Sequence, residues 1–546
     1  MKRVVLGVLA LSVSSALMAA TPKFDGARIS ADVKELASDA YEGRSPATAG
    51  EEKTIAYLSK QFADAGLQPG GDLKDGKRLW TQAVPLRKGD IVGAPQLALH
   101  QGGKTLPLEQ GKQIAVRAAM NGASSVDISK APLVFLGYGV KAPERNWDDF
   151  KGVDLKGKTM VVLVNDPPVA DTALFGGVRM TYYGRWTYKY EQGMKHWAAG
   201  VLLVHETGPA GYPFTVVQGK IAEQFDLVTP DKNVKRSNVE GWITLDQAKA
   251  LFAMAGQDFD SLKAKAATKE FAPVPLGVTA SLSLKNKLRT VDSRNFIAKV
   301  EGSDSTLKHE YVIYNAHWDH FGVGTKVNGD SIYNGASDNA TGVAGLLTIA
   351  KAFAILAPPK RSVLFLAVTA EEQGLLGSQY YATNPLYPIE KTVAVINMDG
   401  LNTWGKTSDI VVMGYGASDL DDYARAAAEE QGGRVLVPDA EPEKGYYYRS
   451  DHFNFAKVGV PAFYPGSGIT FIGKDSTYGM QKRAEYVANH YHKPSDDIKP
   501  AWDLSGAVQD AQFYYKIGYR VAIAPTWPQW KPGNEFRAVR EASLKK

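Results

Sequence analysis

Cysteine is absent from all 546 residues. That excludes disulfides, a cysteine-linked lipid anchor and thiolate metal ligands, so any metal must be held by histidine and oxygen donors. No basic run is present either: 63 Lys and Arg are interspersed with 58 Asp and Glu, and no nucleic-acid partner is expected. The apolar run from Val4 to Met18 is too short for a comfortable membrane span and is soon followed by Thr21-Pro22-Lys23. Lys2-Arg3 precedes this run and the small residues Ala19-Ala20 follow it, so residues 1–20 read as a signal peptide. The expectation is an exported protein, periplasmic or secreted, with no stable membrane anchor. Its length exceeds what one hydrophobic core serves, so more than one domain is expected; composition sets no oligomeric state.

Helical periodicity opens the remaining chain. Ile29, Val33, Leu36 and Ala37 share one stripe, and Ile55, Leu58 and Phe62 another, separated by the turn-rich Tyr41-Glu42-Gly43-Arg44-Ser45-Pro46. From Trp80 to about Ile128, Gly and Pro punctuate a pattern of short strands. A composition shift near Ala131 introduces a β-rich stretch with a few helices, and long strands return by about Ala280. The resulting division is 21–129 and 276–546 for a larger α/β domain and 130–275 for a module inserted into it. Within the larger domain, Tyr311–Ala316, Ser362–Val368 and Thr392–Met398 read as buried strands, and Asn339–Leu356 as a helix.

Chemistry-bearing residues follow these strands. His317 and Asp319 come directly after the first, Glu371-Glu372 after the second and Asp399 after the third, and loops at the carboxyl ends of such strands converge on one crevice. Asp338 precedes the helix, and His492 lies in Tyr491-His492-Lys493-Pro494-Ser495-Asp496. Each residue has an ordinary reading: a structural histidine, a solvated acidic pair, a helix cap, a turn aspartate, a loop histidine. The set also suits two divalent metals and a general base, with one carboxylate bridging. His320 competes with its neighbours as a ligand, and at this point both readings of the set stand.

The ordered pieces Ala316-His317-Trp318-Asp319, Gly335-Ala336-Ser337-Asp338-Asn339-Ala340-Thr341-Gly342, Glu371-Glu372, Asn397-Met398-Asp399 and Tyr491–Asp496 resemble the co-catalytic zinc exopeptidases. That group includes bacterial leucyl aminopeptidases, aminopeptidase Y and glutamate carboxypeptidase. Leu136-Gly137-Tyr138-Gly139 and Asp154-Leu155-Lys156-Gly157-Lys158 resemble the protease-associated domain inserted in many members, and Asp39–Arg44 resembles the family's entry to its catalytic domain. The resemblance implies an α/β fold with a mixed central sheet flanked by helices and an inserted β-rich protease-associated domain. It implies two zinc ions: His317 and Asp399 on one, Glu372 and His492 on the other, Asp338 bridging, with a cis peptide after Asp338. Asp319 would orient His317, and Glu371 would take a proton from the zinc-bound attacking water and return it to the leaving amine. Tyr447, in Tyr446-Tyr447-Tyr448-Arg449-Ser450-Asp451-His452, matches a tyrosine that would steady the oxyanion, aromatic packing being its other reading. The activity implied is removal of N-terminal residues from peptides. The alternatives are a glutamate-type carboxypeptidase, whose carboxylate-holding cation would be Arg449 or Lys444, and a non-catalytic binding module.

Overall fold

The computed structural model describes residues 24–545 except 170, 176, 178, 220–223 and 357; the expected signal peptide, 1–20, lies outside the described residues. In chain order the elements that matter are α1 Gly26–Leu36, α2 Ala49–Asp64, β1 Thr81–Gln101, β2 Ser125–Phe135, β3 Thr159–Leu163, α3 Trp186–Lys195, β4 Gly200–His205, β5 Val239–Thr244 and β6 Val274–Val300. They continue with β7 Tyr311–His317, α4 Thr341–Ile355, β8 Ser362–Val368, β9 Thr392–Asn397, β10 Asp409–Met413, β11 Val435–Pro438, β12 Ala462–Pro465 and α5 Ser505–Ile523.

One mixed sheet runs β11-β10-β12-β9-β7-β8-β6-β2-β3-β4-β5. β12, β9, β7 and β8 are mutually parallel, and every residue of β7, β8 and β9 is buried, as their apolar runs require. Helices α1, α2, α4 and α5 supply Val33, Leu58, Leu346 and Ile517 to the same core as Val312, Phe365 and Ile396 of the sheet. A second core holds Phe135, Val161, Leu202, Ile243 and Phe252, and it extends past both ends of 130–275, taking in Leu97, Ile114, Val126, Leu276 and Leu282 among others. Strand β6 joins the two regions. Its early residues pair antiparallel with β2 and its last, Phe296–Val300, pair antiparallel with β8.

Two local expectations shift. The Gly- and Pro-punctuated stretch after Trp80 opens with one long strand, β1, paired with β6 along most of its length. Between Gln96 and Val92 the register jumps against Ser283 and Lys285, so Gly93-Ala94-Pro95 is absorbed as a bulge and the strand continues. The helix expected from Asn339 begins at Thr341, because Asp338 and Asn339 hold non-helical backbone angles. Among the described residues no helix is long and apolar enough to cross a membrane.

Candidate metal centre

Strand pairing assembles the site. In the parallel ladder of β7 and β8, His317 lies beside Val368, so the segments leaving these strands run side by side. The Asp319 carboxylate ties them together, accepting from the backbone N–H of Glu371 at 3.0 Å and of Glu372 at 3.4 Å. Asp399 leaves β9 on the other flank of β7, where Met398 N–H donates to the Asn315 carbonyl at 2.8 Å. The peptide between Asp338 and Asn339 is cis. The Asn339 side chain pins this turn to the β9 exit: its Nδ2 donates to Met398 O at 3.0 Å and its Oδ1 accepts from Gly400 N–H at 2.8 Å. Asp496 fixes the same turn from below, accepting from Ser337 N–H at 3.1 Å and Asp338 N–H at 3.0 Å.

The side chains then meet as two groups sharing Asp338. His317 Nε2 lies 3.2 Å from Asp338 Oδ1 and 3.2 Å from Asp399 Oδ1. His492 Nε2 lies 3.4 Å from Asp338 Oδ2 and 3.2 Å from Glu372 Oε2. His320 is the other imidazole on Glu372, with Nδ1 2.6 Å from Oε1. Its side chain is completely buried, whereas that of His492 is 18 % exposed. His320, Asp338 and Glu372 also bring donor atoms within 4.8 Å of one another, so His320 is the buried candidate for this position and His492 the part-exposed one. Glu371 Oε2 comes no nearer to His317 Nε2 than 4.0 Å, beside the first group but outside it.

Electrostatics separates the adjacent glutamates. Burial, reinforced by Glu372 and Asp399, holds the Glu371 carboxyl well above the usual carboxylate range despite His317. For Glu372 burial also opposes ionisation, but His492 and His320 outweigh it and the group is pushed down. One neighbour is thereby suited to carry a proton and the other to remain charged, the division of labour expected when environments push two carboxyls apart. Burial likewise opposes charge on His317, yet Glu371, Asp338 and Asp399 lift it well above its ordinary value. The cluster therefore holds an excess of buried negative charge that a proton on His317 partly offsets, and a divalent cation does the same work.

Several expectations change in detail. Asp319 does not reach His317 chiefly through its carboxylate, which lies 3.8 Å from Nδ1. The 3.1 Å contact to Nδ1 is made by the Asp319 backbone carbonyl, leaving the carboxylate for the Glu371 and Glu372 amides. Tyr447 packs its ring on His452 at 4.7 Å and on Tyr448 at 5.2 Å, with its hydroxyl buried and lacking a hydrogen-bond partner among the described residues. The tyrosine that touches a candidate ligand is Tyr464, whose hydroxyl donates to Asp399 Oδ2 at 3.4 Å. Tyr491 stacks on His492, ring centres 3.7 Å apart.

Arg44 is a site residue whose role the sequence did not disclose, although the Glu-Gly-Arg turn carrying it is conspicuous. It is 1 % exposed, and among the described residues its guanidinium donates only to backbone carbonyls: Trp318 at 2.8 Å, Leu36 and Asn334 at 2.7 Å, and Gly335 at 2.9 Å. The first follows His317 and the last two lead to Asp338, so one side chain staples both ligand-bearing loops to the N-terminal segment. Arg44→Met is expected to destabilise the fold by about 3–5 kcal/mol, because buried carbonyls lose their donors. Urea unfolding checks this; an unchanged midpoint would show that the loops hold themselves.

Residues 295–515 match the model of peptidase family M28. That segment is the part of the chain that resembles the family. It contains His317, Asp338, Glu371, Glu372, Asp399 and His492, and excludes Arg44. Among curated proteins, mouse aminopeptidase NAALADL1 is 33% identical over 131 residues, 23% of this chain and 16% of that protein. Aminopeptidase YwaD of Bacillus subtilis is 27% identical over 198 residues, 35% of this chain and 37% of that protein. The match thus spans well under half the length of either relative. Among solved structures, an aminopeptidase from Aneurinibacillus sp. strain AM-1 superposes with a TM-score of 0.52 at 18% identity, covering 92% of this chain and 95% of that one. It shares the fold: a large mixed sheet flanked by helices.

Proposed function

We propose that this protein is an exported metallo-exopeptidase that removes N-terminal residues from peptides and works with two zinc ions. The observation that carries the proposal is the pair of donor groups joined through Asp338. His317, Asp338 and Asp399 form one, and His492, Asp338 and Glu372 the other. Mixed imidazole and carboxylate donors without thiolate suit zinc, and the excess of buried carboxylates fits cations in place of protons. His320, the fully buried imidazole, orients that carboxylate, leaving the ligand position to the part-exposed His492. The M28 segment and the aminopeptidases it resembles support the exopeptidase class. Residues 130–275, packed in the second core together with flanking strand residues, serve as the inserted protease-associated module, and residues 1–20 as the export signal.

Zinc, when bound, supplies Lewis acidity to the attacking water and the scissile carbonyl. The chain's residues do the rest. Glu371 takes a proton from the attacking water and delivers it to the departing amine nitrogen, a role suited to a carboxyl with raised proton affinity. The Asp319 carboxylate positions Glu371 through its amide, and Tyr464 steadies Asp399. The test uses one short peptide in free, N-acetylated and C-amidated forms, followed by mass spectrometry with and without a chelator. Stepwise loss of N-terminal residues, blocked by acetylation and by the chelator, is the expected result. Block by C-amidation instead would make the protein a carboxypeptidase, and no cleavage by zinc-loaded protein would favour the binding-module reading.

A further inference from the structure

Ser293-Arg294-Asn295, near the end of β6 that pairs with β8, touches both loops leaving β7 and β8. The Arg294 carbonyl accepts from Trp318 Nε1 at 2.9 Å, beside His317. Asn295 grips the turn after β8: Oδ1 accepts from Thr369 N–H at 3.1 Å, and Nδ2 donates to the Gly377 carbonyl at 2.9 Å. Ser293 Oγ lies 2.6 Å from Thr369 Oγ1. Glu51, in the first turn of α2, closes the network. Its Oε2 accepts from Ser293 Oγ at 2.7 Å and Ala47 N–H at 2.6 Å, and its Oε1 from Arg294 Nε at 2.9 Å. A hydroxyl has one proton to give, and that of Ser293 goes to the carboxylate, so Thr369 donates to Ser293. The donors therefore run one way, from Thr369 to Ser293 to Glu51. Glu51, Ser293, Asn295 and Thr369 are all completely buried, and Glu51 and Ser293 lie outside the matched 295–515 segment.

Thr369 opens the turn that aims Glu371. The next residue, Ala370, is buried with φ at 52°, in the left-handed region that a Cβ disfavours. A side-chain-bearing residue stays there only where its surroundings over-determine it. Within the turn, Leu376 N–H donates to Ala370 O at 3.0 Å and Gly377 N–H to Thr369 O at 2.9 Å. From outside, the turn is held by Asn295 and by the Thr369 hydroxyl. We propose that Glu51 is a positioning residue for Glu371, acting through Ser293 and Thr369 to lock the strained turn that aims it. This rests on the exopeptidase reading and adds the outer support of its base. Asp319 grips the Glu371 amide from the β7 side, so the relay is a second anchor on the opposite flank.

The test uses zinc-loaded full-length protein and the free peptide of the acetylation experiment. Thr369→Val removes the hydroxyl at nearly constant shape, and Ser293→Ala severs Glu51 from Thr369 while leaving the Ala47 and Arg294 bonds in place. Each should lower kcat by about 10–100-fold with KM within about twofold, the signature of a displaced base. Thr369→Ser, which restores the donor, should return kcat to within about threefold of the wild type. The double variant should be no slower than either single one, because both cut one relay. An unchanged kcat, no rescue by serine, or losses that multiply would overturn the proposal. Hydrogen exchange supplies a readout independent of turnover: the Leu376 and Gly377 amides should exchange at least about tenfold faster in Ser293→Ala and Thr369→Val. Unchanged exchange refutes the lock. A wild type that cleaves no peptide defeats the exopeptidase reading instead, and the exchange rates then decide whether Glu51 locks the turn.

Discussion

Glu371→Gln is expected to lower kcat by about 10³-fold, within the range that a positioned general acid–base contributes. The substitution preserves shape and the hydrogen bond that the residue 371 backbone N–H donates to the Asp319 carboxylate, so geometry survives while proton transfer does not. Zinc content measured by plasma mass spectrometry should be unchanged, because Glu371 lies outside both donor groups. The adjacent Glu372 should behave in the opposite way: it is the charged member of the pair, and Glu372→Gln should lose metal first. Normal turnover in Glu371→Gln would move the base to another group, and loss of zinc would make Glu371 a ligand.

Asp338→Asn should be the most damaging change to metal binding. Its carboxylate faces both ways, Oδ1 toward His317 and Oδ2 toward His492, and no other residue belongs to both groups. Asparagine keeps the volume but loses the charge and offers one acceptor oxygen. Loss of even a supporting group beyond the ligands costs about 10–100-fold in metal affinity, so loss of the shared ligand should cost at least about 100-fold. Zinc retained during dialysis against a competing chelator reads this directly. Asp399→Asn is the control, since Asp399 contacts only the His317 side, 3.2 Å from Nε2. Equal retention in the two variants would refute a shared ligand.

Much of this site was legible because buried parallel strands announce themselves. Tyr311–His317, Ser362–Val368 and Thr392–Asn397 are apolar runs stopped abruptly by polar residues, and the polar residues that stop them are the ones that meet. The helix carrying Leu346 and Leu347 was equally plain from its period. Other residues gave no such signal. Arg44 lies in a turn far upstream of the ligands, and its carbonyl partners are invisible in a pattern of side chains. Tyr446, Tyr447 and Tyr448 are chemically identical neighbours, and only packing against His452 shows where Tyr447 points, while Tyr464 reaches Asp399.

Taken alone, then, the sequence determined the absence of thiolate ligands, the buried strands and the residue types available for a metal centre. These follow from composition and from backbone periodicity, which act over a few residues. The tertiary structure decided that both His320 and His492 reach Glu372, one sealed and one part-exposed, that Asp319 spends its carboxylate on two amides, and that Arg449 docks on the Ala210 carbonyl. Those outcomes depend on strand register and on contacts between segments hundreds of residues apart. Local periodicity carries no information about such pairings, because the energy that selects them comes from burial and hydrogen bonding across the assembled sheet.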